Sequence, residues 1–147
     1  MRRQWKTARR REQGTTLVEA LVALLVLSIG LLGVAGLQMM ALRYNHSAHM
    51  RSQATALAYD ISDRMRANRA AALAAAYNVV IGAVPAGTAV SDRDVIAWKT
   101  LLLNTLPSGD GGIALGANNR VTITVQWNDQ RDALGGATMQ FVTQTQL

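Results

Sequence analysis

An apolar run between residues 14 and 42, GTTLVEALVALLVLSIGLLGVAGLQMMAL, limits the architecture of this chain more than any other feature. From Ala20 to Leu42 it holds 23 residues without a charge, and only Ser28 and Gln38 are strongly polar. As an α-helix such a stretch rises about 35 Å, enough to cross a bilayer core of about 30 Å. One carboxylate, Glu19, lies at its start, five residues after Gly14. A charge in a membrane helix costs roughly 2.5–3.5 kcal/mol at the centre and less near the edge. Its presence there calls for a physical reason.

Charge is distributed unevenly around this run. The formal net charge of +6 is that of a nucleic-acid binder until it is located. Before Gly14, six bases (Arg2, Arg3, Lys6, Arg9, Arg10 and Arg11) face one acid, Glu12, and the rest of the chain carries nine bases against eight acids. The basicity therefore describes a short leader, and nucleic acid is not an expected partner. A basic segment before an apolar one stays cytoplasmic while the following chain crosses. This predicts a single pass through the inner membrane with residues 43–147 outside, in a periplasm if the cell has one. The chain has no cysteine, so no disulfide contributes there.

The residues allow three readings of the N-terminus. A secretory signal has an apolar region of about 7–15 residues followed by small residues. Val34-Ala35-Gly36 offers such a site, but cleavage before Leu37 leaves Glu19 and the longer run without purpose. A plain membrane anchor accounts for the length and not for Gly14-Thr15-Thr16-Leu17-Val18-Glu19. The third reading comes from likeness: that junction after a basic leader resembles the cleavage and methylation signal of type IV prepilins and pseudopilins. The resemblance continues through Gly30-Leu31-Leu32-Gly33-Val34-Ala35-Gly36-Leu37-Gln38 and Arg51-Ser52-Gln53-Ala54. It extends into Leu57-Ala58-Tyr59-Asp60-Ile61-Ser62-Asp63-Arg64-Met65-Arg66-Ala67-Asn68-Arg69, a block similar to the PilV family of minor pilins, the type IV pilus modification proteins.

The resemblance implies cleavage between Gly14 and Thr15 by a membrane prepilin peptidase and N-methylation of Thr15. It implies an assembly role for Glu19, whose carboxylate offsets an N-terminal amine on its own chain or on a neighbouring subunit. Gly30, Gly33 and Gly36 are candidates for a stretch that loosens when subunits enter a fibre, since glycine weakens a helix by about 1 kcal/mol relative to alanine. The same glycines equally suit close helix packing in lipid. Thr15 departs from the phenylalanine usual after the cleavage site in major pilins, which puts methylation more in question than cleavage. The implied function is that of a minor pilin in pilus assembly and priming, supporting adhesion and twitching motility and finally present in the pilus. Expected partners are the peptidase, other minor pilins and, as a further candidate, the major pilin. A pseudopilin of a type II secretion system has the same signal, and a single-span anchored periplasmic binding module is the alternative from another class.

The expected fold is α+β and type IV pilin-like. It divides into a leader over 1–14, a transmembrane and assembly helix over 15–42, a spine helix over 43–76, and a head over 77–147. Between Leu37 and Ala76 there is no proline or glycine. Leu57, Ile61 and Met65, with Ala54 and Ala58, mark one apolar stripe, which predicts continuous helix over 16–74. Asp60 and Arg64 stand four apart in the favourable order. In the head, 79–81 is a candidate short strand. A helix is predicted over 93–106, capped by Ser91 or Asp92, with Ile96, Leu102, Leu103 and Leu106 inward and the segment 107–112 ending it. Residues 121–127 alternate, placing Val121, Ile123, Val125 and Trp127 on one side. A connection over 128–138 leads to a partner strand over 139–145.

Chemistry-bearing groups are sparse. His46 and His49 lack further ligands on their turn and are read as a solvated pair. Asp92, Asp94, Asp110, Asp129 and Asp132 do not follow the spacing of a calcium loop. Arg64, Arg66 and Arg69 read as a solvated helix face. No thiol, nucleophile motif or phosphate-binding loop is present, so neither enzyme activity nor a cofactor or metal is expected.

Overall fold

The computed structural model describes residues 16–129 and 137–147. It falls into two compact units, the first ending at Met40 and the second beginning at Ala41. The predicted α+β class holds: a long apolar N-terminal helix and a head with a short helix and a three-stranded antiparallel sheet.

Helix α1 spans Leu17–Ala67. Up to Met40 all of its described residues are solvent-exposed. In the second unit its apolar stripe is buried at Met50, Ala54, Ala58, Ile61 and Met65, with Leu57 half-buried beside them. Spacings of three and four place these residues on one face, and small Ala54 and Ala58 bring that face close to the head core.

The predicted helix to residue 74 is interrupted. α1 ends at Ala67, Asn68 leaves helical geometry (φ −117°, ψ 50°), and a short helix α2 follows at Arg69–Leu73. Asn68 has a reason to turn: its side-chain amide donates to the Tyr77 hydroxyl at 3.2 Å. Asn is a middling helix former whose amide competes for local bonds. α2 closes with Ala75 at φ 60°, and the Ala76 N–H reaches back to the Ala71 carbonyl at 3.0 Å. This is a Schellman-like closure with alanine where glycine is usual.

Helix α3 covers Val90–Thr105, starting a turn earlier than predicted. Asp92 is inside it, not at its cap: its Oδ2 accepts the Ala89 N–H at 3.1 Å. The buried side consists of Ser91, Val95, Trp98, Lys99 and Leu102, continued by Leu106. Leu103, expected inward, is 64 % exposed, and Ile96 is half-buried. A lysine inside the stripe shifted the predicted face. Trp98 is fully buried, and its indole N–H donates to the Leu57 carbonyl at 2.9 Å, fixing α3 to α1.

Strand β1 is Asp110–Leu115, and its first three residues fall in the segment 107–112 expected to end α3. Gly111 makes this possible: a Cβ there would collide with the Trp98 ring and the Leu102 side chain. In a strand, glycine permits this close approach. β1 turns through Ala117–Asn119, where Asn118 and Asn119 both take φ 56°, into β2 at Arg120–Asp129. β3 at Ala137–Gln146 pairs with β2 throughout, from Arg120 opposite Gln146 to Asp129 opposite Ala137. Both strands are thus longer than expected, and the ladder takes up both ends of the predicted connection. Its centre, 130–136, lies outside the described residues. The alternation of β2 is as predicted, with Val121, Ile123, Val125 and Trp127 all buried. Residue 79 contributes one bridge, to Ile113, in place of a short strand.

One ion pair sits at the joint of these parts. Lys99 Nζ, 4 % exposed as a residue, donates to Asp110 Oδ1 at 2.8 Å and to the Val80 carbonyl at 3.2 Å. Partial burial works to raise the Asp110 carboxyl. The bonds from Lys99 and from the Gly82 and Gly111 N–H groups outweigh it and hold the carboxyl below its ordinary 3.8. A carboxyl lowered on folding contributes stability that is complete above the unfolded value and lost as pH falls through the folded one. Asp110→Asn should therefore destabilise the neutral-pH head by about 3 kcal/mol, because it leaves a buried ammonium without its counter-charge. Urea titrations followed by tryptophan fluorescence at stepped pH check this. The gap between parent and variant should narrow as pH falls below 3.8.

Candidate functional site

At the start of the apolar helix, Gly14 and Thr15 lie outside the described residues. Thr16 heads α1: its carbonyl accepts the Ala20 N–H at 3.2 Å and its hydroxyl accepts the Glu19 N–H at 3.3 Å. This is half of a Thr-x-x-Glu capping arrangement, which satisfies an N–H that has no partner within the helix. Thr16-Leu17-Val18-Glu19 contains the signature of this cap, which the expected pairing of Glu19 with an N-terminal amine did not include. The second half is not made. Among the described residues no cation pairs with the Glu19 carboxylate, which projects from the exposed first turn, where the helix dipole favours an acid.

Beyond Glu19 the first unit presents apolar surface on every side. Leu17, Leu21, Leu25, Leu32 and Leu37 are all more than half exposed. A helix that is apolar all round belongs in a core or a membrane, and this one is long and apolar enough to cross a bilayer. Ser28 returns its hydroxyl to the Leu24 carbonyl at 2.7 Å, which removes a free donor from that surface. Gly30, Gly33 and Gly36 recur every three residues along it. Nothing lies within 4 Å of where a Cβ would stand at any of them, so each is a notch in the helix surface. The segment is fully helical at all three.

In the head, each predicted polar candidate has a local structural task or lies apart from the others. Arg64 bonds Asp60 at 3.0 Å, as the four-residue spacing predicted, and reaches Asp94 on α3 at 3.5 Å. Asp94 accepts the Tyr77 hydroxyl at 2.7 Å, and Tyr77 accepts Asn68 in turn. Burial and the neighbouring Asp94 carboxylate push the Tyr77 hydroxyl above its ordinary 10.0. The network ties the end of α1, the turn after α2, and α3 together. Arg66 bonds Asp63 at 2.8 Å and the Thr145 hydroxyl at 2.9 Å, while Arg69 donates to the Leu147 carbonyl at 2.9 Å. The arginines read as a solvated face therefore brace α3 and the end of β3. Sequence spacing could not show this, because their partners lie up to 79 residues away.

His46 and His49 border a shallow groove with Met50, Gln53, Leu106 and Pro107. Asp92 and Asp110 are engaged as described above, Asp129 is buried at the end of β2, and Asp132 lies outside the described residues. Among the described residues no group of three or more His, Cys, Asp or Glu side chains converges.

The features that stand out are thus an exposed carboxylate at the head of an apolar helix and a short basic leader before it. The prokaryotic N-terminal methylation motif matches residues 9–35, from the end of that leader through Gly14, Thr15 and Glu19 to Ala35. No curated protein and no solved structure matches the chain. The motif is a prepilin-like signal. It marks the chain as a type IV pilin-like or pseudopilin protein, associated with a membrane and processed by a prepilin peptidase.

Proposed function

We propose that the chain is a minor pilin of the PilV type that acts in assembly and priming of a type IV pilus, and so supports adhesion and twitching motility. The observation that carries this reading is the exposed Glu19 carboxylate in the first turn of an apolar helix, inside the matched methylation motif. The choice of PilV over other pilins rests on the block from Leu57 to Arg69. In that block Asp60 and Arg64 pair, and Arg66 and Arg69 brace β3.

The mechanism follows from charge. Cleavage after Gly14 removes the leader and exposes an α-amine at Thr15, whose reference pKa near 7.7–8.0 keeps it largely cationic at neutral pH. Thr15 and Glu19 are four residues apart, a spacing that shares a helical face. The carboxylate offsets this amine, or the amine of a neighbouring subunit, at a depth where either charge alone is expensive. The apolar surface and the notches at Gly30, Gly33 and Gly36 serve lateral packing, first in the inner membrane and then in the filament. The leader lies on the cytoplasmic side and the head in the periplasm. Partners are the peptidase, other minor pilins and the major pilin, and the chain performs no catalysis of its own and holds no cofactor. A pseudopilin of a type II secretion system is the second reading, because the matched motif serves both machines. Capture of crosslinked partners from cells, pilus or secretion subunits, separates the two.

Three outcomes test the proposal. Produced with a prepilin peptidase, the chain should yield a mature form starting at Thr15 by intact mass and N-terminal sequencing, and Gly14→Val should stay uncut. Glu19→Ala should be cut normally and remain in the membrane fraction, yet be missing from sheared filaments on immunoblots. Its undiminished presence there would assign Glu19 no part in assembly, and absence of the unsubstituted chain from filaments would favour a plain anchored module. Gly30→Ala/Gly33→Ala/Gly36→Ala should stiffen the helix by about 1 kcal/mol per site and reduce the amount of the chain in filaments. Unchanged incorporation would assign these glycines no part in assembly.

A further inference from the structure

Every full charge that α1 carries between Glu19 and Asp60 follows its apolar run. There is no acid in that interval, and its bases are Arg43 and Arg51. Exposed Tyr44 and the pair His46 and His49 stand between the two arginines. α1 is continuous from Leu17 to Ala67, so positions along its axis follow from residue number. His46 lies about 6 Å and His49 about 10 Å beyond Leu42, the last residue of the run. The headgroup layer on each side of a bilayer core is about 5–8 Å thick. Helical side chains lean toward the N-terminus, which draws the His49 imidazole back toward that layer. Tyrosine is also enriched at that level.

Beside these residues α1 meets the end of α3, within the second unit. His46, His49 and Gln53 line a groove of about 420 Å³ with Asn104 and Thr105 of α3. Among the described residues none of these five side chains makes a hydrogen bond or ion pair. The acids of the adjoining strands do not line the groove: Asp110 is held by Lys99, and Asp129 is buried. The lining thus offers imidazole, amide and hydroxyl donors without a counter-anion. Two imidazoles with no third ligand hold a metal ion poorly. Donors of this kind suit the oxygens of a phosphate.

We infer that the groove between α1 and the end of α3 seats the phosphate headgroup of an anionic phospholipid, at the surface of the membrane that the apolar run enters. His46, His49, Gln53 and Asn104 donate to the phosphate oxygens. Arg43 and Arg51 supply the positive field that favours a net anion over a zwitterion. Lipid is the occupant because the groove begins one helical turn after the apolar run, where headgroups surround the helix. The inference rests on the reading of residues 20–42 as a membrane helix, and not on the choice between pilus and secretion machine or on the role of Glu19.

The test uses the full-length chain, without a histidine tag, in micelles of an uncharged detergent. The chain has 2 histidines, so both imidazole C–H resonances can be followed by NMR. With phosphatidylglycerol as probe both should move and saturate, while phosphatidylcholine should need about tenfold more lipid for the same change. Gln53→Ala/Asn104→Ala keeps both reporters and should raise the phosphatidylglycerol requirement about tenfold. An equal response to the two lipids, or no effect of the double substitution, overturns the inference. An equal response to inorganic phosphate overturns the choice of lipid as the occupant. A chain that stays dispersed without detergent overturns the membrane reading on which the site rests, which separates that failure from failure of the site alone.

Discussion

The head depends on the burial of one largely apolar helical face, in which Ser62 is the buried polar residue. Met50, Ala54, Ala58, Ile61 and Met65 give α1 that face, and the core residues of α3 and the sheet share one cluster with it. Burial of this kind contributes roughly 25 cal/mol per Å² of apolar area, and no other term in so small a head matches it. The Trp98 bond to the Leu57 carbonyl then fixes α3 to the helix. The same helix begins with residues that bury nothing within their own unit and present leucine and valine on all sides. Two sections of one element thus answer to two surroundings: a narrow stripe suits a core, and an all-round apolar surface suits lipid.

Polar groups in the head serve as ties. Lys99 and Asp110 link α3 to the start of β1, and the Asp110 carboxylate also accepts the Gly82 N–H from the loop before α3. Arg64, Asp94, Tyr77 and Asn68 close the corner where α1 ends, and Arg66 and Arg69 hold the end of β3. Among the described residues, no three or more His, Cys, Asp or Glu side chains converge. The surface that stands out among the described residues is the apolar first section of α1 with Glu19 in its first turn. Surface of that kind is suited to packing against lipid or other apolar helices.

Much of this was legible from local pattern. The apolar run, the basic leader and Glu19 are matters of composition and position, and the matched motif occupies those same residues. Val121, Ile123, Val125 and Trp127 alternate strictly, and Ala54, Ala58, Ile61 and Met65 recur at helical spacing, so β2 and the buried face of α1 were readable. The Asp60–Arg64 pair follows from a four-residue interval. In each case the deciding interaction is with solvent, lipid or a near neighbour in the chain.

Other features were settled only by tertiary contact. Gly111 and Gly112 read as a helix terminator and instead form part of β1, because the Trp98 ring lies where a side chain at Gly111 would have to go. Lys99, outside the predicted inward face of α3, is buried because Asp110 and the Val80 carbonyl meet its ammonium there. α1 stops at Ala67 because Tyr77 offers Asn68 a partner outside the helix. The sequence by itself determined where apolar surface and charge must lie, since periodicity and hydropathy are properties of short stretches. Which glycine, lysine or asparagine departs from its usual behaviour was decided by residues distant in the chain, whose approach changes the energy of a conformation that local preference disfavours.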